Sequence, residues 1–172
     1  PSDPPYVIRA SVRIVDETID GDEYFPKDGE TFGIVFGANG GEPCSADRET
    51  PQNEGCFSHY YRLLIVWSAE DSSAFKWSLK RIDYHDPSNG GKGDGETLID
   101  YRWTTGSVDA NGWNEWKIEV SAEAIKVYVN NHFEAEARDT HYLYEPYFGT
   151  FMASPQYGGV GFKWDWFEVK PQ

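Results

Sequence analysis

Apolar and polar residues alternate along most of the chain with the period of two that a half-buried strand requires. In Tyr6 to Val15 (YVIRASVRIV), Ile8, Ala10, Val12 and Ile14 face one way and Val7, Arg9, Ser11 and Arg13 the other. Thr31 to Ala38 (TFGIVFGA) is a second strand, whose glycines suit close approach of a neighbouring backbone. Phe57 to Trp67 is the most apolar segment, with Tyr60 and Arg62 out of phase with Tyr61, Leu63 and Ile65. Phe75 to Tyr84 turns Phe75, Trp77 and Leu79 inward and Lys76, Ser78 and Lys80 away. Thr97 to Trp103 follows a glycine-rich turn, and Trp113 to Val120 then pairs with Ala124 to Asn130 across Ser121-Ala122-Glu123. Asn130-Asn131 is a tight-turn pair, because Asn tolerates positive φ, and it returns the chain along His132 to Ala137. Tyr147 to Met152 and Tyr157 to Val169 complete about ten to twelve strands. Helical periodicity is confined to a single turn's worth near Asp139 to Leu143. The pattern predicts an all-β fold, a two-sheet antiparallel sandwich.

Composition supports this and narrows the partners. The 7 Trp, 11 Tyr and 10 Phe supply large side chains for two inner faces, and 17 Gly and 10 Pro punctuate the strands. A length of 172 residues suits one domain spanning 1–172. The formal charge of −14 repels a phosphate backbone or an anionic lipid surface, so nucleic acid is not an expected partner. The longest apolar run, Leu63 to Trp67, is strand-sized, far below the roughly 18 residues of a membrane helix, so membrane insertion is not expected either. The chain begins Pro-Ser-Asp, which reads as a mature or excised piece of a longer parent with other domains.

Cys44 and Cys56 flank a polar, proline-containing stretch between two strands. Either they are two free thiols or they close that loop as a disulfide. The disulfide is the expectation, because such a loop has little else to order it. Closure contributes roughly 3 kcal/mol in the loop-entropy model, and it implies an oxidising, extracellular or cell-surface location. The four histidines and two cysteines show no zinc-type spacing.

The segment WNEWKIEVSAEAIKVYVNN resembles the paired strands of laminin-G-like jelly rolls in the concanavalin A-like lectin and glucanase superfamily. TFGIVFGA resembles an early strand of those domains, YYRLLIV with FKWSLKRID their central pair, and FGTFMAS with FKWDWFEV their closing strands. The resemblance implies a jelly-roll sandwich whose concave sheet often binds sugars, in lectins, glucanases, adhesion modules and bacterial extracellular carbohydrate-associated modules. It also implies a structural calcium ion where the early loop meets the last strand, with Asp16, Asp20, Asp22 and Asp165 as candidate ligands.

A glucanase would need two carboxylates on one strand face about 5 Å apart. Glu17, Asp20 and Glu23 lie instead in a glycine-containing acidic loop. Glu115, Lys117 and Glu119 share a face in the order that exposed ion pairs take. Asp83, His85 and Asp86 gather at a strand end, which suits a proton-transfer or sugar-hydroxyl site as well as an ordinary turn. Flat rings offer the better chemistry, since the C–H face of a pyranose stacks on them while its hydroxyls seek polar groups. The rings least committed to a core by alternation are Tyr60, Trp103, Trp113 and Tyr128, and with Arg62, Lys76 and Lys80 they form the expected carbohydrate-binding face. The expected function is that of a secreted, non-catalytic module that binds a poly- or oligosaccharide. The alternatives are a glucanase-type glycoside hydrolase and an adhesion module that recognises protein.

Overall fold

The computed structural model describes residues 3–14, 31–39, 59–67, 75–83, 95–109, 112–153 and 162–172. These contain ten strands: β1 (Tyr6–Ile14), β2 (Thr31–Ala38), β3 (Tyr60–Trp67), β4 (Phe75–Ile82), β5 (Gly95–Trp103), β6 (Asn114–Val120), β7 (Ile125–Val129), β8 (His132–Ala137), β9 (Tyr147–Ala153) and β10 (Phe162–Pro171). No described residue is helical; the segment expected to make a helical turn forms a bend and turn at 141–144. Accordingly, among the described residues, no helix is long and apolar enough to cross a membrane.

The strands form two antiparallel sheets, ordered β10-β1-β6-β7-β8 and β5-β4-β3-β2-β9. Alternate residues are buried: Ile8, Ala10 and Val12 on β1, where the Ile14 side chain is not among those described, Tyr61, Leu63 and Ile65 on β3, Phe75, Trp77 and Leu79 on β4, and Trp116, Ile118 and Val120 on β6. They belong to one core between the sheets. Edge-to-face rings join the layers. Trp116 of β6 meets Phe75 and Trp77 of β4 at centroid distances of 6.0 and 6.4 Å. Phe32 of β2 meets Trp164 of β10 at 5.8 Å, and Tyr6 of β1 meets Phe148 of β9 at 5.3 Å. Such T-shaped pairs add to the area they bury.

Backbone exceptions shape the outer faces. Asn130 and Asn131 have φ of 49° and 64°, as the β7–β8 turn requires. At Gly37, φ is 56°, and the β2–β9 register shifts between Val35 and Ala38. At Gly33 a Cβ would run into the Leu63 carbonyl oxygen and sit 2.6 Å from the Phe151 ring. Strand β5 breaks register with β4 twice, between Trp77 and Leu79 and between Leu79 and Lys80. On β8, Glu134 is the extra residue of a bulge opposite Val127 and Tyr128. It turns inward, and its carboxylate accepts the N–H groups of Thr105 and Gly106 at 2.8 Å and the Thr105 hydroxyl at 3.1 Å.

Candidate functional site

The outer face of the β5-β4-β3-β2-β9 sheet follows from register. One row runs Trp103, Lys76, Val66, Thr31 across β5, β4, β3 and β2. Another runs Thr97, Lys80, Arg62, Val35, Gly149 and ends on β9. Ser78 and Leu64 are paired between those rows, and Ser78 is fully buried, its hydroxyl without a hydrogen-bond partner among the described residues. At the β5 edge Tyr101 is 42% exposed and Trp103 39%. The Lys76 ammonium lies 5.8 Å from the first ring centroid and 5.9 Å from the second, which places one cation against two aromatic faces.

Four of the seven residues expected to line one face are therefore together there, Lys76 and Trp103 exposed and Arg62 and Lys80 half-buried. Tyr60 shares the face but is only 4% exposed. The β2 irregularity at Gly37 brings Ala38 to the outer side, where it packs with Tyr60 and Ile82 against Val35. A ring so covered offers no stacking platform. Trp113 and Tyr128 lie on the opposite side of the molecule, because β6 and β7 belong to the other sheet and a residue out of phase there points away from the first face. The Arg13 guanidinium lies 5.0 Å over the Trp113 ring. Lys117 lies 3.9 Å over Tyr128, whose hydroxyl donates to Glu119 at 2.8 Å. Burial and that carboxylate push the Tyr128 phenol up to about 12.

Sequence reasoning missed Tyr101. It has the same parity as the buried Ile99, so strict alternation would hide both, and only the bulge between them turns the tyrosine outward. The same bulge frees Trp103.

The outer face of the β10-β1-β6-β7-β8 sheet is a lattice of ion pairs. Arg9 binds Glu115 with two nitrogens, at 3.1 and 2.8 Å, and also reaches Glu168. Lys117 meets Glu119 at 3.0 Å, Lys170 meets Glu168 at 2.6 Å, and Lys126 meets Glu136 at 3.8 Å. This is the structural role expected of Glu115, Lys117 and Glu119.

A second polar cluster closes one end of the sandwich. Arg81 donates to Asp83, at 2.6 Å through Nε, and to buried Asp139, and it pairs with Glu96 at 3.2 Å. Asp139 also accepts from the Tyr61 hydroxyl and from the His141 N–H at 3.1 Å. Tyr142 donates its hydroxyl to Asp83 at 2.9 Å and stacks on His59 at 4.0 Å. The Arg81 bond holds the Asp83 carboxyl below the ordinary range. For Asp139 burial pulls upward, but the bonds from Tyr61, the His141 N–H and Arg81 outweigh it and the net shift is downward. Carboxylates so saturated act as struts. His85 and Asp86, expected beside Asp83, lie outside the described residues.

Asp165 is exposed, the extra residue of a β10 bulge between the pairs Ser11–Trp166 and Val12–Trp164. Asp16, Asp20 and Asp22, like Cys44 and Cys56, lie outside the described residues. Among the described residues no three His, Cys, Asp or Glu side chains are grouped to hold a metal.

No protein-family model matches the chain, and no curated protein sequence does. Solved structures do. Sheep galectin-11, in complex with glycerol, superposes with a TM-score of 0.52 at 12% identity, covering 96% of this chain and 89% of that one. LamAcat from Zobellia galactanivorans gives 0.52 at 12% identity over 96% of this chain and 64% of its own. A mutant of BlXynB, a GH43 protein from Bacillus licheniformis, gives 0.52 at 13% identity over 98% of this chain and 28% of its own. Identities this low speak to architecture alone. With two stacked five-stranded antiparallel sheets and likenesses that run almost the full length of the chain, the protein has the concanavalin A-like jelly-roll fold.

Proposed function

We propose that the chain is a secreted, non-catalytic module that binds carbohydrate on the outer face of the β5-β4-β3-β2-β9 sheet. The observation that carries this reading is the exposed pair Tyr101 and Trp103 on the edge strand β5, with the Lys76 ammonium near both rings and Lys80 and Arg62 on the adjoining row. A pyranose presents an apolar C–H face that stacks on such rings, and its ring oxygen and hydroxyls accept hydrogen bonds from Lys and Arg. A glucanase-type site instead needs two carboxylates about 5 Å or about 6.5–9.5 Å apart. The outer positions of β3 and β4 are Tyr60, Arg62, Leu64, Val66, Lys76, Ser78, Lys80 and Ile82, which supports binding over bond cleavage.

The test is a glycan-array screen of the chain, with and without calcium, run beside a Tyr101→Ala/Trp103→Ala double variant. A hit that the double variant loses supports the reading. A blank array, or a hit that survives loss of both rings, overturns it, the former favouring a module that recognises protein.

A further inference from the structure

We infer that the saccharide taken by this face is acidic: a short oligomer of uronate-type sugars, not a neutral glycan. This rests on the binding reading above and names its ligand class. Cations are scarce in this chain, 15 against 29 acidic residues, yet Arg62, Lys76 and Lys80 all occupy outer positions of the neighbouring strands β3 and β4. No carboxylate occupies an outer position of either strand. The nearest on the β5 edge are Asp100, whose Oδ1 accepts the Tyr101 N–H at 2.8 Å, and Glu96, which is engaged by Arg81.

The arrangement concentrates positive charge on one sheet face. Arg62 and Lys80 are direct cross-strand partners, about 4.8 Å apart along the hydrogen-bonding direction. The other face of the same molecule shows the alternative: Arg9, Lys117, Lys126 and Lys170 each stand beside a glutamate. Among the described residues, no carboxylate pairs with Lys76 or Lys80, and Lys76 leans on the two exposed rings instead. A ligand that brings its own carboxylates can make charge-assisted bonds to Lys76 and Lys80 while its rings stack on Tyr101 and Trp103.

The overall charge of −14 sets the ligand's size. Lys76 and Lys80 are four residues apart on one strand, about 13 Å. The screening length in physiological salt is about 8 Å. A short oligomer confined to these rows is therefore shielded from the acidic remainder of the surface, whereas a long polyanion runs out over it.

The experiment is calorimetric titration with short oligomers of galacturonate, glucuronate, mannuronate and guluronate, each beside its methyl ester, and with the neutral hits of the array. Binding of at least one acidic oligomer, about tenfold tighter than its ester, is expected. Lys76→Gln and Lys80→Gln should each weaken the acid several-fold more than the ester, so that the acid's advantage shrinks, while Trp103→Ala weakens both alike. Equal affinity for acid and ester, or acid binding indifferent to both lysines, overturns the inference and leaves the binding reading standing. Failure of every acidic and neutral sugar overturns both.

Discussion

Replacing Asp139 by Asn removes one negative charge and almost no volume from the end cluster, so its effect isolates electrostatics from packing. One carboxylate oxygen accepts from the Tyr61 hydroxyl and the His141 N–H, the other from Arg81. An amide has a single acceptor oxygen, so in either orientation its NH2 group confronts a donor, the Arg81 guanidinium in one case and the His141 N–H in the other. Hydrogen bonds to charged groups contribute about 1.5–3 kcal/mol each. Arg81 keeps Asp83 and Glu96, which limits the loss to about 2–3 kcal/mol, short of the ~3–5 kcal/mol for stripping a buried ion of its partner. For a chain of this length that lowers Tm by about 4–12 °C. The pH dependence identifies the cause. Because the Asp139 carboxyl is held below its ordinary value in the folded protein, its stabilisation is present above the ordinary unfolded value of about 3.9 and is lost as pH falls through the lower folded value. Urea melts of both proteins, from neutral pH downward, should show the gap between them shrinking below about pH 4. A gap that persists undiminished in acid, or a neutral-pH loss under about 0.5 kcal/mol, would refute the charge argument.

Glu134→Ala should cost about 2–3 kcal/mol in urea denaturation, since it strands the Thr105 and Gly106 N–H groups, and Glu134→Gln should recover part of it; an unaffected midpoint would remove the bulge from the stabilising contacts. Gly33→Val should destabilise by about 1–3 kcal/mol or more, because a Cβ there meets the Leu63 carbonyl oxygen as well as the Phe151 ring; since the first obstacle is backbone, Phe151→Ala in the same chain should leave most of the loss in place, and full rescue would be the contrary result. If Cys44 and Cys56 are joined, the intact mass should be lower by two hydrogen atoms before reduction than after; equal masses exclude the bond. If calcium is structural, complete chelation should lower Tm and calcium alone should restore it, because a ligand of the folded state stabilises by mass action; an unchanged Tm excludes that role.

The strands were legible in the sequence because each has one face in the core, and period two then fixes which residues are buried. Ile8-Ala10-Val12 and Phe75-Trp77-Leu79 show this with no exception. Asn130-Asn131 was legible for a different reason, a turn that only a residue tolerant of positive φ can make. The binding face was less so. Alternation says that Tyr128 and Arg62 both point outward, but it does not say from which sheet; that depends on pairing between strands distant in sequence. Tyr60 keeps the outward phase that alternation gives it but is covered by Ala38, which an irregularity in the next strand turns outward, and Tyr101 is uncovered by a bulge in its own strand beyond Ile99. A bulge adds one residue without a strong residue-type signature, so alternation alone does not reveal where the phase changes.

The broken register of β5 has a consequence for how molecules of this protein meet. An edge strand recruits another chain by offering an unbroken ladder of N–H and C=O groups. With two breaks within nine residues, β5 offers only short aligned stretches, too few for a second strand to add on. The same irregularity that presents Tyr101 and Trp103 to solvent thus keeps that border from fusing with a neighbour, and apolar rings can stand exposed there without inviting self-association through the backbone.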